Sequence, residues 1–305
     1  KLVADILKIP EREVLVASTG VIGTPLPMAK LKKAIPLLAE NVGSANLLDV
    51  AKAIMTTDTF PKISQHSIRI GRKICHIEGI AKGAGMIAPD MATMLAFILT
   101  DALLEPEFAK RVLKECIDET FNSISVDGDT STNDTVFLLA NGASSAQPID
   151  ATSGASKRFR NSLLKVCDEL ATMIVRDGEG ASKRLVINVR GAKTPKEAQM
   201  ISRTVANSML VKTGFSGTEP NWGRVVAAVG RSGVPIREDS ISLAINGVRI
   251  FSKGSPTGKE DVLRERLSGD TVEILIDLNR GAVNSTFQTS DLTEEYVRIN
   301  ADYLT

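Results

Sequence analysis

Apolar positions along the chain switch between helical and strand spacing, and each switch marks an element. Leu31, Ile35 and Leu38 recur at helical spacing, and Pro36 among them predicts a kink or a helix start. Residues 47–55 read as a further helix. Residues 14–17 form a short apolar run of strand-like composition that ends in the turn-like Ser18-Thr19-Gly20. Branched residues Ile68, Ile70, Ile74 and Ile77 predict one long strand or a hairpin over residues 68–80, with Gly71 as a bulge or turn. Residues 93–99 predict a buried strand. Pro106 opens a helix through Phe121 whose apolar face holds Val112, Leu113, Cys116 and Ile117. A strand over 135–140, a helix over 156–175 and a strand over 184–189 follow. Thr194-Pro195-Lys196-Glu197 then supplies an N-cap, a proline at the first helical position and a carboxylate in the first turn. Strands are predicted over 224–229, 240–251 and 271–278, and a C-terminal helix over 292–303. Residues 180–210 read as a βα unit, and the later strands lie close enough in sequence to pair antiparallel. The mixture predicts a layered α/β or α+β architecture.

Composition narrows the function classes. The 305 residues suggest about two domains, and 43% hydrophobic with 24% charged residues are globular proportions that argue against disorder or a fibrous repeat. Lys+Arg 37 against Asp+Glu 36 leaves a net charge of +1, so the counterion-releasing surplus of a nucleic-acid reader is missing. No apolar run approaches the ~18 residues of a membrane span; the best candidate stops at Asp101. Cys75, Cys116 and Cys167 are too scattered for a disulfide framework or a zinc cluster. The expectation is a reduced, soluble, cytosolic-type protein with no nucleic-acid or membrane partner. The only histidines, His66 and His76, sit in the strand-like stretch. An enzyme built on this chain would take its base from elsewhere.

The segment Lys82-Gly83-Ala84-Gly85-Met86-Ile87-Ala88-Pro89-Asp90-Met91-Ala92-Thr93-Met94-Leu95 is the most unusual in the chain. It reads either as a glycine-rich loop entering a buried strand or as a self-cleavage segment with Ala92-Thr93 as the scissile bond. In the second reading the threonine hydroxyl attacks the preceding carbonyl, the chain shifts to an ester, and hydrolysis frees Thr93 with a nucleophile and its own base. An α-amine has a reference pKa of ~7.7–8.0, near the value that general-base catalysis favours, and threonine with an N-terminal amine is an established pairing. Spacing alone leaves both readings open. Asp127-Gly128-Asp129 with Asn133-Asp134 fails the calcium-loop template and reads as an acidic turn or a hydrogen-bonded structural loop. Residues 254–259 lack the Ser or Thr that a phosphate loop needs after its lysine. Residues 217–224, with Trp222, read as a packed loop.

The Lys82–Leu95 segment closely resembles the self-cleavage segment of the ornithine acetyltransferase (glutamate N-acetyltransferase) family of arginine biosynthesis. Four further blocks resemble that family in order: Ala17-Ser18-Thr19-Gly20-Val21-Ile22-Gly23, Thr56-Thr57-Asp58-Thr59, Asp127-Gly128-Asp129-Thr130-Ser131-Thr132-Asn133-Asp134, and Tyr296-Val297-Arg298-Ile299-Asn300-Ala301-Asp302-Tyr303. A sizeable N-terminal segment of the family has no counterpart here. The resemblance implies a layered α/β fold, an αββα sandwich with mixed sheets. It divides the chain at Ala92 into residues 1–92, the end of an α chain, and residues 93–305, a β chain starting at the Thr93 nucleophile. Thr19 and Gly20 match the oxyanion-hole pair. Thr56, Lys82, Thr93, Glu179, Asn300 and Thr305 match substrate contacts; Lys82 suits a carboxylate and Glu179 an ammonium.

The implied reaction moves acetyl from N2-acetyl-L-ornithine to L-glutamate through an acetyl-threonine. No metal or organic cofactor is implied. Some members also accept acetyl-CoA, which would then be a co-substrate. The implied assembly is an α2β2 heterotetramer, in the cytoplasm, or in the mitochondrial matrix for a fungal source. Two other readings stay open: a related self-processing amidase or aminopeptidase that passes the acyl group to water, and a non-catalytic amino-acid-binding protein in which Thr93 is only a strand residue.

Overall fold

The computed structural model describes residues 1–44, 46–88 and 94–302. Among these residues eleven strands form two mixed sheets. The four-stranded sheet contains β1 (Lys62–Ile70), β2 (Lys73–Lys82), β3 (Leu95–Thr100) and β5 (Thr135–Ala140), in that order. Its first three strands pair antiparallel, and β3 pairs parallel with β5. The seven-stranded sheet also draws on β4 (Ile124–Ser125), β6 (Arg184–Ala192), β7 (Ser242–Ile245), β8 (Val248–Ser252), β9 (Ser255–Pro256), β10 (Thr271–Asp277) and β11 (Val283–Ser290). Its order is β4-β11-β6-β10-β7-β8-β9, with β6 and β10 parallel and β6 and β11 antiparallel.

The helices are α1 (Leu2–Leu7), α2 (Met28–Glu40), α3 (Leu47–Ala53), α4 (Pro106–Glu119), α5 (Ser156–Arg176), α6 (Pro195–Ala206), α7 (Met209–Ser216), α8 (Trp222–Gly230), α9 (Glu260–Glu265) and α10 (Glu294–Asp302). Helices α4 and α5 cover the smaller sheet. In α5, Phe159, Leu163, Val166, Leu170 and Ile174 repeat at three- and four-residue intervals and are fully buried. They pack on Ile68, Ile77 and Ala81 before the Ala92-Thr93 junction and on Met94, Ala96 and Ile98 after it. One core therefore contains both sides of the Ala92-Thr93 junction. Helices α6, α7, α8 and α9 build a second core on the larger sheet, around Ile187, Val205, Phe215, Val225 and Ile274. The result is the expected layered α/β fold with mixed sheets.

Several elements depart from the sequence pattern for identifiable reasons. Residues 68–80 are a hairpin, but β1 starts earlier, at Lys62. Residues 14–17 are irregular and exposed for the most part; Val16 is 78% exposed, so strand-like composition finds no sheet to join. Residues 224–229 are helical rather than extended, because Val225, Ala228 and Val229 share the buried face of α8. Helix α8 also takes in Trp222, at the end of the predicted packed loop. Residues 240–251 split into β7 and β8, with Asn246 (φ 45°) and Gly247 (φ 78°) in the left-handed region that a two-residue hairpin turn demands. Helix α2 runs through Pro36. The predicted 93–99 strand begins at Leu95 and the C-terminal helix covers Glu294–Asp302; Thr93 and Tyr303 lie outside the described residues.

A buried ion cluster joins α5 to the smaller sheet. Lys62 on β1 reaches Asp58 Oδ1 and Asp177 Oδ2 at 2.5 Å each. Asp177 also accepts the N–H and hydroxyl of Thr59 at the C-terminal end of α5. Removing the cation would leave two desolvated carboxylates facing one another, a change that costs about 3–5 kcal/mol. Lys62→Met is therefore expected to lower the urea unfolding midpoint by a corresponding amount; a midpoint equal to wild type would refute this role.

Candidate active site

The C-terminal end of β2 carries Lys82 into the interior, where the residue is 2% exposed. Its ammonium lies 3.5 Å from Thr19 Oγ1. Burial lowers the Lys82 pKa; attraction to Asp58 and Asp134 opposes this, and Lys62 adds to the lowering. Asp58 accepts the N–H groups of Gly83 (2.7 Å) and Thr56 (3.1 Å), so the cluster at Lys62 also fixes the backbone on both sides of the pocket. Burial pushes the Asp58 carboxyl up, but the Gly83 N–H, Lys62 and the Thr56 N–H outweigh it and hold the pKa below its usual value.

The loop between β4 and β5 forms the adjacent wall. Asp127 accepts the N–H groups of Met86 (2.6 Å) and Ile87 (2.9 Å), and Met86 is held at φ 55°, an uncommon left-handed conformation for a side-chain-bearing residue. Ile87 O accepts the N–H of Val126. Burial raises the Asp127 pKa, against the Asp129, Met86 and Ile87 N–H groups that lower it. At the loop's far end, Asp134 Oδ1 accepts the Met94 N–H at 2.5 Å, and Met94 O accepts the Thr135 N–H. In between, the Asn133 side-chain amide donates to Ser18 O and so holds the Ser18-Thr19-Gly20 turn against the same loop.

Helix α10 closes the pocket. Glu179 follows the end of α5, and its N–H is bonded to Ala84 O at 2.9 Å. The neighbouring Gly180 (φ 68°) lies so close to α10 that a Cβ there would stand 2.3 Å from the Tyr296 backbone nitrogen. This close approach brings Asn300 Nδ2 to 2.9 Å from Glu179 Oε2. Tyr296 also faces the cavity; burial, then the charges of Asp127, Asp129 and Glu179, push its pKa up to about 12, so it remains a neutral phenol.

The resulting cavity of about 360 Å³ is lined by Thr19, Gly20, Thr56, Lys82, Glu179 and Asn300, within the usual range for small-molecule sites. The structure thus gathers six of the residues singled out in the sequence, from positions up to 281 residues apart (Thr19 to Asn300). Ala92, Thr93 and Thr305 lie outside the described residues. Met86, Asp127, Asp129, Asn133 and Tyr296 line the same cavity and were not selected as site residues. Their blocks were visible, but the signal of their role is a set of contacts across about 40 residues or more of chain. The histidines stand elsewhere: His66 Nε2 lies 2.9 Å from Glu169 Oε1, and the backbone N–H of exposed His76 donates to Asp101 Oδ1. A larger groove of about 590 Å³, between α4, α5 and β11, holds none of the selected residues.

One buried ammonium, several carboxylates and hydroxyl and amide groups around a small cavity define an α/β protein with a pocket for a small, charged, amino-acid-like molecule. A family model described as the ArgJ family matches residues 1–305. The Arginine biosynthesis bifunctional protein ArgJ of Geobacter sulfurreducens is 46% identical over 100% of this chain and 78% of its own length. The Glutamate N-acetyltransferase of Methanocaldococcus jannaschii is 45% identical, again over 100% of this chain and 78% of its own length. The crystal structure of the Arginine biosynthesis bifunctional protein ArgJ from Bacillus halodurans superposes with a TM-score of 0.67 at 38% identity, covering 69% of this chain and all of that one. This chain belongs to the ArgJ family.

Gly85 tests the geometry of the pocket. A Cβ there would stand 2.5 Å from the Glu179 carboxylate, the movable end of a side chain. Gly85→Ala should displace that carboxylate while leaving the fold intact. The expected result is a fall in kcat/KM on the order of 10²-fold with little change in melting temperature; unchanged kinetics would dissociate Glu179 from the substrate.

Proposed function

We propose that this protein transfers the acetyl group of N2-acetyl-L-ornithine to L-glutamate, giving L-ornithine and N-acetyl-L-glutamate. The observation that carries the reading is the convergence of Thr19, Gly20, Thr56, Lys82, Glu179 and Asn300 on one cavity beside both described flanks of the Ala92-Thr93 segment. The names of the Geobacter and Methanocaldococcus relatives support the same chemistry.

The reaction begins with self-cleavage between Ala92 and Thr93, giving chains of residues 1–92 and 93–305. The freed Thr93 amine then takes the proton of its own hydroxyl, and Oγ1 attacks the acetyl carbonyl. Thr19 Oγ1 and the Gly20 N–H donate to the developing oxyanion, an interaction whose loss typically costs 10²–10³ in turnover. Ornithine leaves, acetyl stays on Thr93 Oγ1, and the glutamate amine takes it up in a second half-reaction. Lys82 pairs with a substrate carboxylate, Glu179 with a substrate ammonium, and Thr56, Asn300 and Thr305 complete the contacts. This route requires no metal or organic cofactor. Acetyl-CoA would enter as an alternative acetyl donor, and the working form in this reading is an α2β2 heterotetramer in the cytoplasm. No helix among the described residues is long and apolar enough to cross a membrane.

Thr93→Ala is expected to remain one uncut polypeptide by intact mass and to transfer no acetyl group, because one hydroxyl serves both steps. Normal processing of that variant would refute the assignment. With wild-type protein, acetylornithine should yield acetylglutamate only when glutamate is present; acetate release without acetylglutamate would identify a hydrolase instead, and parallel reactions with acetyl-CoA read its use as donor.

A further inference from the structure

Transfer and self-cleavage do not share a base. In the transfer step the free amine of Thr93 accepts the hydroxyl proton, but before cleavage that nitrogen is an amide and its lone pair is delocalised into the peptide bond. The self-cleavage on which the proposed function rests therefore needs a proton acceptor from another residue. Neither histidine lines the pocket. Lys82 lies 3.5 Å from Thr19 Oγ1, on the side of the pocket assigned to the oxyanion.

Asp134 is tied to the chain next to the proposed scissile bond. One carboxylate oxygen, Oδ1, is fastened to the N–H of Met94, the residue that directly follows Thr93 in the chain. The other, Oδ2, is buried and has no hydrogen-bond partner among the described residues. A buried carboxylate oxygen without a donor is costly, and native structures rarely leave such a group without a reason. Burial raises the carboxyl pKa to about 7, against the Met94 N–H and the Lys82 charge that lower it. Lys82, at the end of β2, is the charged side chain that acts on it. The group thus exchanges protons near neutrality, where an ordinary aspartate is already fully ionised.

We infer that Asp134 is the general base of self-cleavage, accepting the Thr93 hydroxyl proton on Oδ2. The Oγ1–H bond breaks and the proton passes to the carboxylate. Oγ1 bonds to the Ala92 carbonyl carbon, and the carbonyl π pair moves onto oxygen. As the carbonyl re-forms, the Ala92–Thr93 C–N bond breaks and the departing nitrogen takes the proton back from Asp134, leaving an ester on Oγ1 and a free amine. Water then adds to the ester carbon and the C–Oγ1 bond breaks. Ala92 leaves as a carboxylate, its proton passing to solvent, and the Thr93 hydroxyl is regenerated. Asp134 is consumed in neither step.

The test follows cleavage of the full-length protein, made in a cell-free reaction and sampled by intact mass from pH 5 to 9. The wild-type rate should rise with pH through a midpoint near 7, as Asp134 ionises. Asp134→Asn keeps an acceptor for the Met94 N–H but loses the base. It should slow cleavage by about 10²–10⁴-fold and lose that pH dependence, while near-UV circular dichroism shows an intact fold. Asp134→Glu should recover part of the rate. Cleavage of Asp134→Asn within threefold of wild type overturns the inference. So does a wild-type rate that is flat across the range, which decides the matter even where a variant fails to fold. Wild-type protein that never cleaves between Ala92 and Thr93 overturns instead the reading on which the inference rests.

Discussion

Two carboxylates at opposite ends of one loop hold the site together. Asp127 accepts the N–H groups of Met86 and Ile87, and Asp134 accepts that of Met94. Between them Asn133 donates to Ser18 O. The loop from β4 to β5 therefore grips the chain before and after the Ala92-Thr93 junction and also the turn that carries Thr19 and Gly20. Each bond is a charge-assisted or amide hydrogen bond to backbone, so it fixes main-chain position rather than one side-chain rotamer. In acyl transfer, main-chain position decides where an oxyanion donor points.

Charge balance gives the grip its character. Asp58 and Asp177 are buried with Lys62 between them, and Lys82 lies close enough to Asp58 and Asp134 to be attracted by both. Buried charges of this kind contribute little net stability, because desolvation offsets most of the attraction. They supply a unique arrangement: the cluster ties β1, the end of α5 and the backbone of Thr56 and Gly83 to one point. Glu179, two residues beyond Asp177, takes its place from that tie and from the tight contact of Gly180 with α10.

The smaller sheet would hold a chain cut at the Ala92-Thr93 junction in one body. Strands β1 and β2 precede the Ala92-Thr93 junction, while β3, β5, α4 and α5 follow it, yet all share one hydrophobic core. Strand β2 pairs with β3 over six residue pairs from Ile77 to Lys82. Such pairing and burial would outlast the loss of a single peptide bond in the connection between β2 and β3.

Periodicity was enough for α4, α5, β6 with α6, β10 and the hairpin at Gly71, because long amphipathic or alternating patterns bury one face wherever they are placed. It misread residues 224–229, where branched residues favour a strand but the buried face has helical spacing, and residues 14–17, whose apolar run has no neighbour to pair with. For the site, the unusual blocks and their resemblance to one family identified Thr19, Gly20, Thr56, Lys82, Glu179 and Asn300. Tertiary structure alone decided that Asp127 and Asp134 serve as backbone anchors, since an acidic loop reads the same whether its carboxylates face water or accept N–H groups about 40 residues away in sequence. It also decided that Asp134 keeps one buried oxygen without a donor among the described residues, for burial and the company of Lys82 are properties of the folded surroundings and leave no mark in the order of residues.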